Sequence, residues 1–130
     1  MVDGKTASGK IDLLIYGPSK PIVDNGFSDQ FVLHAFETKH DLERLSPAIA
    51  ARIRGAAVTY NTVRGDGATL AQFPKLEIVA SFGVGYDHID ANYAREHNIM
   101  VTNTPDVLTE EVADLAMGLL IATLREFVKA

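Results

Sequence analysis

The sequence contains no cysteine, no excess of basic residues and no apolar run long enough to cross a bilayer. Without cysteine, the chain can form no disulfide, no thiolate metal site and no cysteine nucleophile. The chain has 12 basic and 17 acidic residues, and its net charge of −5 disfavours nucleic acid and anionic membranes as partners. The apolar stretch at residues 115–124 is shorter than the roughly 20 residues of a membrane-spanning helix.

The first ten residues, MVDGKTASGK, are polar and lack the apolar centre of a secretory signal. We expect residues 1–10 to be a flexible leader and the protein to be cytoplasmic. A chain of 130 residues, 47% of them hydrophobic, is long enough for one domain with a real core.

Five short apolar segments alternate with segments of helical character. This alternation predicts an α/β fold with a flavodoxin-like, five-stranded parallel sheet over residues 11–105. The predicted strands are residues 11–16, 30–36, 56–60, 76–80 and 99–102. Ligands of such sheets bind beyond the carboxyl ends of the strands, so the loops at Gly17, Asn61 and Gly83 should rim one crevice.

Helices are predicted between these strands. A short helix is expected from Ile22, another at residues 69–73, and a third over residues 87–98. Asp41 is the expected N-cap of a helix that continues to residue 54. Pro47 should lie in the first turns of that helix or divide it into two pieces.

The turn Gly83-Val84-Gly85 directly follows the fourth predicted strand. Its glycines permit backbone angles that are closed to other residues. A helix that starts at Asp87 would place its positive end beside the free N–H groups of the turn. A bare loop of this kind suits the two oxygens of a carboxylate, although a tight turn without any ligand is the alternative interpretation.

The same turn does not predict a dinucleotide site. Gly83-Val84-Gly85-Tyr86-Asp87-His88 matches only the front of the fingerprint G-x-G-x-x-G, because His88 replaces the third glycine. The acidic residue expected about 20 positions later is missing, and Asn103 stands near that place.

No catalytic or metal site is evident elsewhere. The four histidines lack metal-ligand spacing, and His88 is interpreted either as a solvated residue at a helix start or as a group that titrates near the turn. We interpret the acidic residues after position 105 as partners of a helix dipole. They are Asp106, Glu110, Glu111 and Asp114. The sequence therefore predicts no catalytic residue and no metal ligand in this chain.

The last segment predicts an unusual helix. Thr109 is its expected N-cap, and residues 115–124 are apolar on almost every face. A helix that is apolar all round must be buried all round. The predicted domain can cover one side, so a second copy of the chain or another domain should cover the other.

Residues 76–126 read LEIVASFGVGYDHIDANYAREHNIMVTNTPDVLTEEVADLAMGLLIATLRE. This stretch closely resembles the D-isomer-specific 2-hydroxyacid dehydrogenases, and most of all their glyoxylate/hydroxypyruvate and hydroxyphenylpyruvate reductases. For residues 11–73 the resemblance is only topological. The resemblance implies that the N–H groups of Val84 and Gly85 bind the substrate carboxylate, that Gly83 shapes the turn, and that Thr109 faces the cofactor.

In that family a flavodoxin-like substrate domain packs against a Rossmann domain that holds NAD or NADP. The resemblance implies that residues 106–130 form the helix between these domains. The family's catalytic arginine, glutamate and histidine and its dinucleotide fingerprint lie later in the chain. We therefore expect the substrate-binding half of a homodimeric enzyme that reduces a small 2-oxo acid to a D-2-hydroxy acid, inactive by itself. A free-standing flavodoxin-like module that binds an anion or a partner protein is the alternative.

Overall fold

The computed structural model describes residues 9–18, 21–59 and 63–127, so most of the expected leader, Tyr60 and Asn61 lie outside the described residues. The described chain contains a parallel sheet. Its strands are β1 (Ile11–Tyr16), β2 (Phe31–Phe36), β3 (Ile53–Val58), β4 (Ile78–Ser81) and β5 (Met100–Thr102). Their order, β2-β1-β3-β4-β5, is that of flavodoxin-like sheets, and the predicted fold is confirmed.

Short helices connect these strands, and one longer helix follows β5. They are α1 (Pro21–Phe27), α2 (Lys39–Leu42), α3 (Pro47–Ala50), α4 (Gly67–Leu70), α5 (Ala91–Glu96) and α6 (Thr109–Leu124). The alternation of parallel strands with crossover helices brings the carboxyl ends of all five strands to one edge of the sheet.

The single helix predicted from Asp41 to residue 54 is wrong at both ends. Thr38 is the N-cap, because its side chain accepts the N–H of Asp41 while the Asp41 carboxylate accepts the N–H of Thr38. Pro47 does divide the segment, and Ser46 caps the second piece. Ile53 fits the helical spacing but is completely buried as the first residue of β3. Burial in the sheet therefore outweighs helical periodicity there.

Alternate residues of the central strands pack into two apolar layers, one on each face of the sheet. Leu14 of β1 and Val79 of β4 belong to the larger layer. Leu13 and Ile15 belong to the smaller one, together with Val23 of α1. The larger layer thus packs against β1, β3 and β4 together and supports the loops at their carboxyl ends.

At that edge the ladder of backbone hydrogen bonds continues one residue past the strands. The N–H groups of Gly17, Thr59 and Phe82 each donate to the carbonyl oxygen of the last residue of an adjacent strand, at 2.8–3.0 Å. Gly17 has a φ of 117°, a conformation that side-chain-bearing residues rarely adopt, so glycine is required for the chain to turn away from β1.

Ionic contacts occur towards the opposite edge of the sheet. The Asp12 carboxylate is buried and lies 2.7 Å from His34 Nε2 and 3.2 Å from Arg52 Nη2. On the surface, Arg54 makes two hydrogen bonds with Glu77, at 2.7 and 3.0 Å. These contacts fasten the starting ends of β1, β3 and β4.

Helix α6 differs from its prediction. Leu108 is its N-cap and supplies no side-chain hydrogen bond, so Thr109 is the first helical residue and not the cap. None of the residues of α6 is buried, and Leu115, Leu120 and Leu124 are 52–73% exposed. The expectation that the domain covers one side of this helix is therefore wrong. Among the described residues, no helix combines the length and hydropathy that membrane crossing demands.

Candidate functional site

An open cavity of about 510 Å³ lies at the carboxyl ends of β3 and β4. It is lined by residues 81–85, by Asp87 and His88 just beyond them, and by Thr59 and Arg64 from the end of β3. The cavity thus lies at the edge of the sheet that the fold predicts for a ligand. Gly17, also expected at the rim, is not among the lining residues.

The glycine turn of β4 has its carbonyl groups occupied by protein donors. The N–H of Thr104 donates to the Gly83 oxygen at 3.0 Å. The side-chain amide of Asn103 donates to the Val84 oxygen at 2.6 Å, and the Ser81 hydroxyl donates to the Gly85 oxygen at 3.3 Å. Three consecutive carbonyls are therefore held on the protein side of the turn.

The N–H groups of Val84 and Gly85 differ from these carbonyl groups in their hydrogen bonding. Within residues 9–18, 21–59 and 63–127, no group accepts a hydrogen bond from either of them. Both residues line the cavity and are exposed. Two adjacent donors without a protein acceptor at a cavity can bind the oxygens of an anion.

The glycines act through their small size and not through unusual backbone angles. Gly83 and Gly85 do not adopt a positive φ, so the expectation of special backbone angles is wrong. A Cβ built on Gly85 would meet Asp87 Oδ2 at 3.7 Å, and one on Gly83 would meet nothing closer than 3.8 Å. These are ordinary contact distances, so the absence of side chains keeps the neighbouring amides open to solvent.

The expected helix dipole beside the turn is also absent. Helix α5 begins at Ala91 with Asp90 as its N-cap, and residues 86–90 separate it from Gly85. The prediction of a helix from Asp87 is wrong because Asp90, whose carboxylate accepts the N–H of Tyr93, caps the helix one turn later. No helix end therefore adds its dipole to the free amides of the turn.

A basic residue that the sequence reasoning did not single out completes the cavity. Arg64 is exposed and lines it. The next residue, Gly65, donates to the His88 oxygen and accepts from the Asp90 N–H, both at 2.9 Å. This parallel bridge holds the loop of Arg64 against the loop after the glycine turn. No local sequence pattern predicts a contact between segments 23 positions apart, so this contact becomes evident only from the fold.

His88 is half-buried in the turn before α5 and is therefore not a solvated residue at a helix start. Burial lowers the pKa of His88 below 6.5, although the nearby Asp87 carboxylate acts in the opposite direction. Its Nε2 lies 3.4 Å from the Ser81 hydroxyl. Because that hydroxyl donates to the Gly85 carbonyl, the pair fits an imidazole with its proton on Nε2.

Two further residues shape the cavity. Thr59 is almost fully buried, and its hydroxyl donates to the Pro18 oxygen at 2.8 Å, which fixes the end of β3 against the loop after β1. Phe82 is half-exposed and lines the cavity beside the turn.

Thr109, expected to face the cofactor, is exposed at the start of α6 and does not line the cavity. Residues 103–108, which lead into α6, contain no glycine and so no glycine-rich phosphate loop for a dinucleotide. These residues do not fit NAD or NADP by themselves, and the role of Thr109 towards a cofactor stays a prediction. The described residues also contain no cluster of three side chains able to hold a metal ion.

Comparison with known proteins places this chain in a family. Residues 14–126 match the model of the D-isomer specific 2-hydroxyacid dehydrogenase catalytic domain. The chain is 43% identical over 116 residues to a glyoxylate/hydroxypyruvate reductase A of Arabidopsis thaliana, which covers 88% of the chain and 36% of the relative. It is 38% identical over 115 residues to a hydroxyphenylpyruvate reductase of Plectranthus scutellarioides, with coverage of 88% and 36%.

A solved structure gives the same result. The NADPH-dependent glyoxylate/hydroxypyruvate reductase of Sinorhizobium meliloti, crystallised with NADP and malonate, superposes with a TM-score of 0.75 at 40% identity. The superposition covers 88% of this chain and 34% of that one. The chain thus spans about a third of the length of the relatives it matches. It belongs to the D-isomer specific 2-hydroxyacid dehydrogenase family.

Proposed function

We propose that this chain is the substrate-binding part of an NAD(P)-dependent reductase that converts a small 2-oxo acid into a D-2-hydroxy acid. Residues 11–105 form the substrate-binding domain, and residues 106–130 connect it to the remainder of the enzyme. In the whole enzyme a nicotinamide cofactor supplies the hydride. The N–H groups of Val84 and Gly85 bind the substrate carboxylate, and Gly83 shapes the turn.

The single observation that carries this proposal is the division of hydrogen bonds in the glycine turn. The carbonyls of Gly83, Val84 and Gly85 all accept protein donors, whereas the N–H groups of Val84 and Gly85 have no acceptor among the described residues. A carboxylate offers two oxygens with several lone pairs, which matches two neighbouring donors. Charge-assisted hydrogen bonds of this kind are stronger than neutral ones.

The charge and the size of the cavity both favour a small acid as the ligand. Arg64 is the one guanidinium among the described residues that line the cavity, where it lies with Asp87 and His88, and it gives the cavity a positive group that attracts an anion. The cavity of about 510 Å³ is open to solvent and has room for a small acid. Orientation of the substrate by these groups would contribute to the rate even though they perform no proton transfer.

The named relatives support the substrate class. They include reductases of glyoxylate, hydroxypyruvate and hydroxyphenylpyruvate, and the Sinorhizobium meliloti enzyme is NADPH-dependent. We assign to the whole enzyme a substrate from this group of 2-oxo acids, NAD or NADP as cofactor, and a homodimeric state. Thr109 is the position on this chain proposed to lie towards the cofactor.

Titration of the ¹⁵N-labelled chain with glyoxylate tests the proposed site. The amide signals of Val84 and Gly85 should move most and saturate together, and the neutral analogue glycolamide should move them little. Equal shifts throughout the chain, or equal effects of the two compounds, would refute carboxylate binding. With glyoxylate and NADPH, the 130-residue chain should show no turnover above that of a heat-denatured sample.

A further inference from the structure

Asn103 follows the last residue of β5 and reaches across to the glycine turn of β4. Its side-chain Nδ2 donates a 2.6 Å hydrogen bond to the carbonyl oxygen of Val84. We propose that Asn103 is a positioning residue that orients the Gly85 amide towards the anion. This inference rests on the proposed function, because it concerns the same two amides.

The geometry of the peptide unit makes the link. The carbonyl of Val84 and the N–H of Gly85 belong to one planar trans peptide, in which the two groups point in opposite directions. By holding the Val84 oxygen, Asn103 therefore also fixes the direction of the Gly85 N–H, away from β5. The Thr104 N–H holds the Gly83 oxygen in the same way and so fixes the N–H of Val84. Two consecutive peptides are thus oriented from the end of β5.

Packing alone does not hold the turn in this orientation. Val84 and Tyr86 are 42% and 48% exposed, and Gly85 has no side chain. A rotated Val84–Gly85 peptide would turn a carbonyl oxygen towards the carboxylate, and two negative partners would then face each other. The hydrogen bond from Asn103 opposes that rotation.

The chemistry of an asparagine suits this task. Its amide donates a hydrogen bond and carries no charge, so it fixes the peptide without attracting the anion away from the turn. An aspartate at this place would set a carboxylate oxygen against the Val84 oxygen. Of the two contacts that come from the end of β5, the one from Thr104 is made by the backbone, so Asn103 supplies the one that a side-chain substitution removes directly.

The experiment compares Asn103→Ala and Asn103→Leu with the unmodified chain by NMR titration with glyoxylate. Leucine nearly preserves the volume of asparagine and removes the donor. Both variants should bind glyoxylate about five to ten times more weakly, the loss expected for one hydrogen bond. Asn92→Ala, which removes an exposed asparagine of α5, should bind like the unmodified chain.

A second readout separates positioning from a general structural effect. Without ligand, the Gly85 amide signal of both variants should shift and broaden, because its peptide now samples two orientations. The Val84 signal should change less, since Thr104 still holds the preceding peptide. Asn103→Gln retains a donor and should recover part of the affinity. If alanine prevents folding, the leucine and glutamine variants decide the question.

Two failures are distinguishable. If the unmodified chain does not bind glyoxylate through Val84 and Gly85, the proposed function is wrong, whatever the variants do. If it does bind, but Asn103→Leu binds equally well with an unchanged Gly85 signal, then only the positioning role is refuted.

Discussion

The N–H of Gly65 donates a 2.9 Å hydrogen bond to the carbonyl oxygen of His88. This contact joins the loop after β3 to the loop after β4, and the returning bond from the Asp90 N–H to the Gly65 oxygen closes the bridge. Arg64 thereby lines the same cavity as the glycine turn. The proposed anion site is composite, with amides from one loop and a guanidinium from another.

Replacing Arg64 with glutamine should weaken glyoxylate binding. Because Arg64 is exposed and its charge is screened by solvent, we expect a loss of about two- to fivefold at low salt, measured by calorimetric titration. The difference between the two proteins should shrink as salt is added.

Arg95→Gln is the matched control for this variant, because it removes the same charge from an exposed position on α5. An equal loss of affinity in both variants would mean that Arg64 acts only through net charge.

Gly85→Ala should leave the fold intact and weaken anion binding. The added Cβ would meet its nearest neighbour at 3.7 Å, and glycine here has no positive φ, so the melting temperature should not fall. The methyl group would nevertheless crowd the two amides that we assign to the carboxylate. Glyoxylate titration and thermal unfolding of the same sample measure both effects.

The control for that change is Gly118→Ala on the exposed face of α6, where a Cβ meets nothing within 4 Å. It should raise helix stability by about 0.5–1 kcal/mol and leave binding unchanged. Tight glyoxylate binding by Gly85→Ala would contradict the proposed position of the ligand.

His88 should make anion binding depend on pH. Burial holds the pKa of His88 below 6.5, so the imidazole is largely neutral at pH 7. Protonation at lower pH adds a positive charge to a cavity that also contains Arg64 and the Asp87 carboxylate. Glyoxylate affinity should therefore rise as the pH falls through the His88 pKa, and bound glyoxylate should raise that pKa in an NMR titration.

His88→Gln should remove this rise in affinity between pH 7 and 5. Because the pKa of His88 is lower in the folded chain than in the unfolded chain, protonation of His88 also destabilises the unliganded fold. The contribution of neutral His88 to stability should be lost as the pH falls from about 6.5 towards the lower folded pKa. A steeper pH response in the variant than in the unmodified chain would contradict this assignment.

Asp12 should stabilise the fold at neutral pH. Burial by itself would raise the pKa of Asp12, but the hydrogen bonds and charges of His34 and Arg52 outweigh burial and lower it below 3.8. The stabilisation is then present above about pH 4 and lost as the pH falls through the lower folded pKa. Asp12→Asn should reduce the free energy of unfolding by about 1–3 kcal/mol at pH 7.

Urea unfolding of Asp12→Asn and the unmodified chain, repeated from pH 7 to pH 3, measures this difference. The two curves should converge in the acidic range. Asp29→Asn, at an exposed position after α1, should change stability little at any of these pH values. A constant difference between Asp12→Asn and the unmodified chain across the whole range would rule out the ionised carboxylate as its source.

Helix α6 should contribute little to the stability of the sheet. None of its residues is buried, so a chain ending at residue 105 should unfold at nearly the same urea concentration as the full 130 residues. The shorter chain should self-associate less in light scattering, because the exposed leucines of α6 are gone. A large loss of stability on truncation would show that α6 packs against the sheet in solution.

The strands could be predicted from sequence because each is a short apolar run, and the central strands β1 and β3 are buried along most of their length. Residues 11–16 coincide with β1, and the glycine turn does follow β4 as expected, while its role in binding stays a prediction. The helices were predicted less well. Thr38 and not Asp41 caps α2, and α5 begins at Ala91 after its cap Asp90 and not at Asp87, since several nearby side chains could cap each helix.

The missed parts of the site depend on contacts between distant segments. Asn103 was noticed only as a residue that fails the dinucleotide pattern, although its amide holds the Val84 carbonyl 19 positions away. Arg64 enters the cavity only because Gly65 pairs with the loop after Tyr86. Local periodicity carries no information about such pairings, which are set by sheet order.

The ionic contacts of the domain and its proposed ligand site lie at opposite ends of the strands. This separation matters for any attempt to change the ligand preference. The buried contact of Asp12 with His34 and Arg52, and the surface pair of Arg54 with Glu77, lie towards the ends where the strands begin. The residues proposed to meet the ligand lie at the ends where the strands finish. Substitutions of Phe82, Val84 and Arg64 that alter the proposed ligand preference should therefore leave the buried Asp12 contact with His34 and Arg52 unchanged.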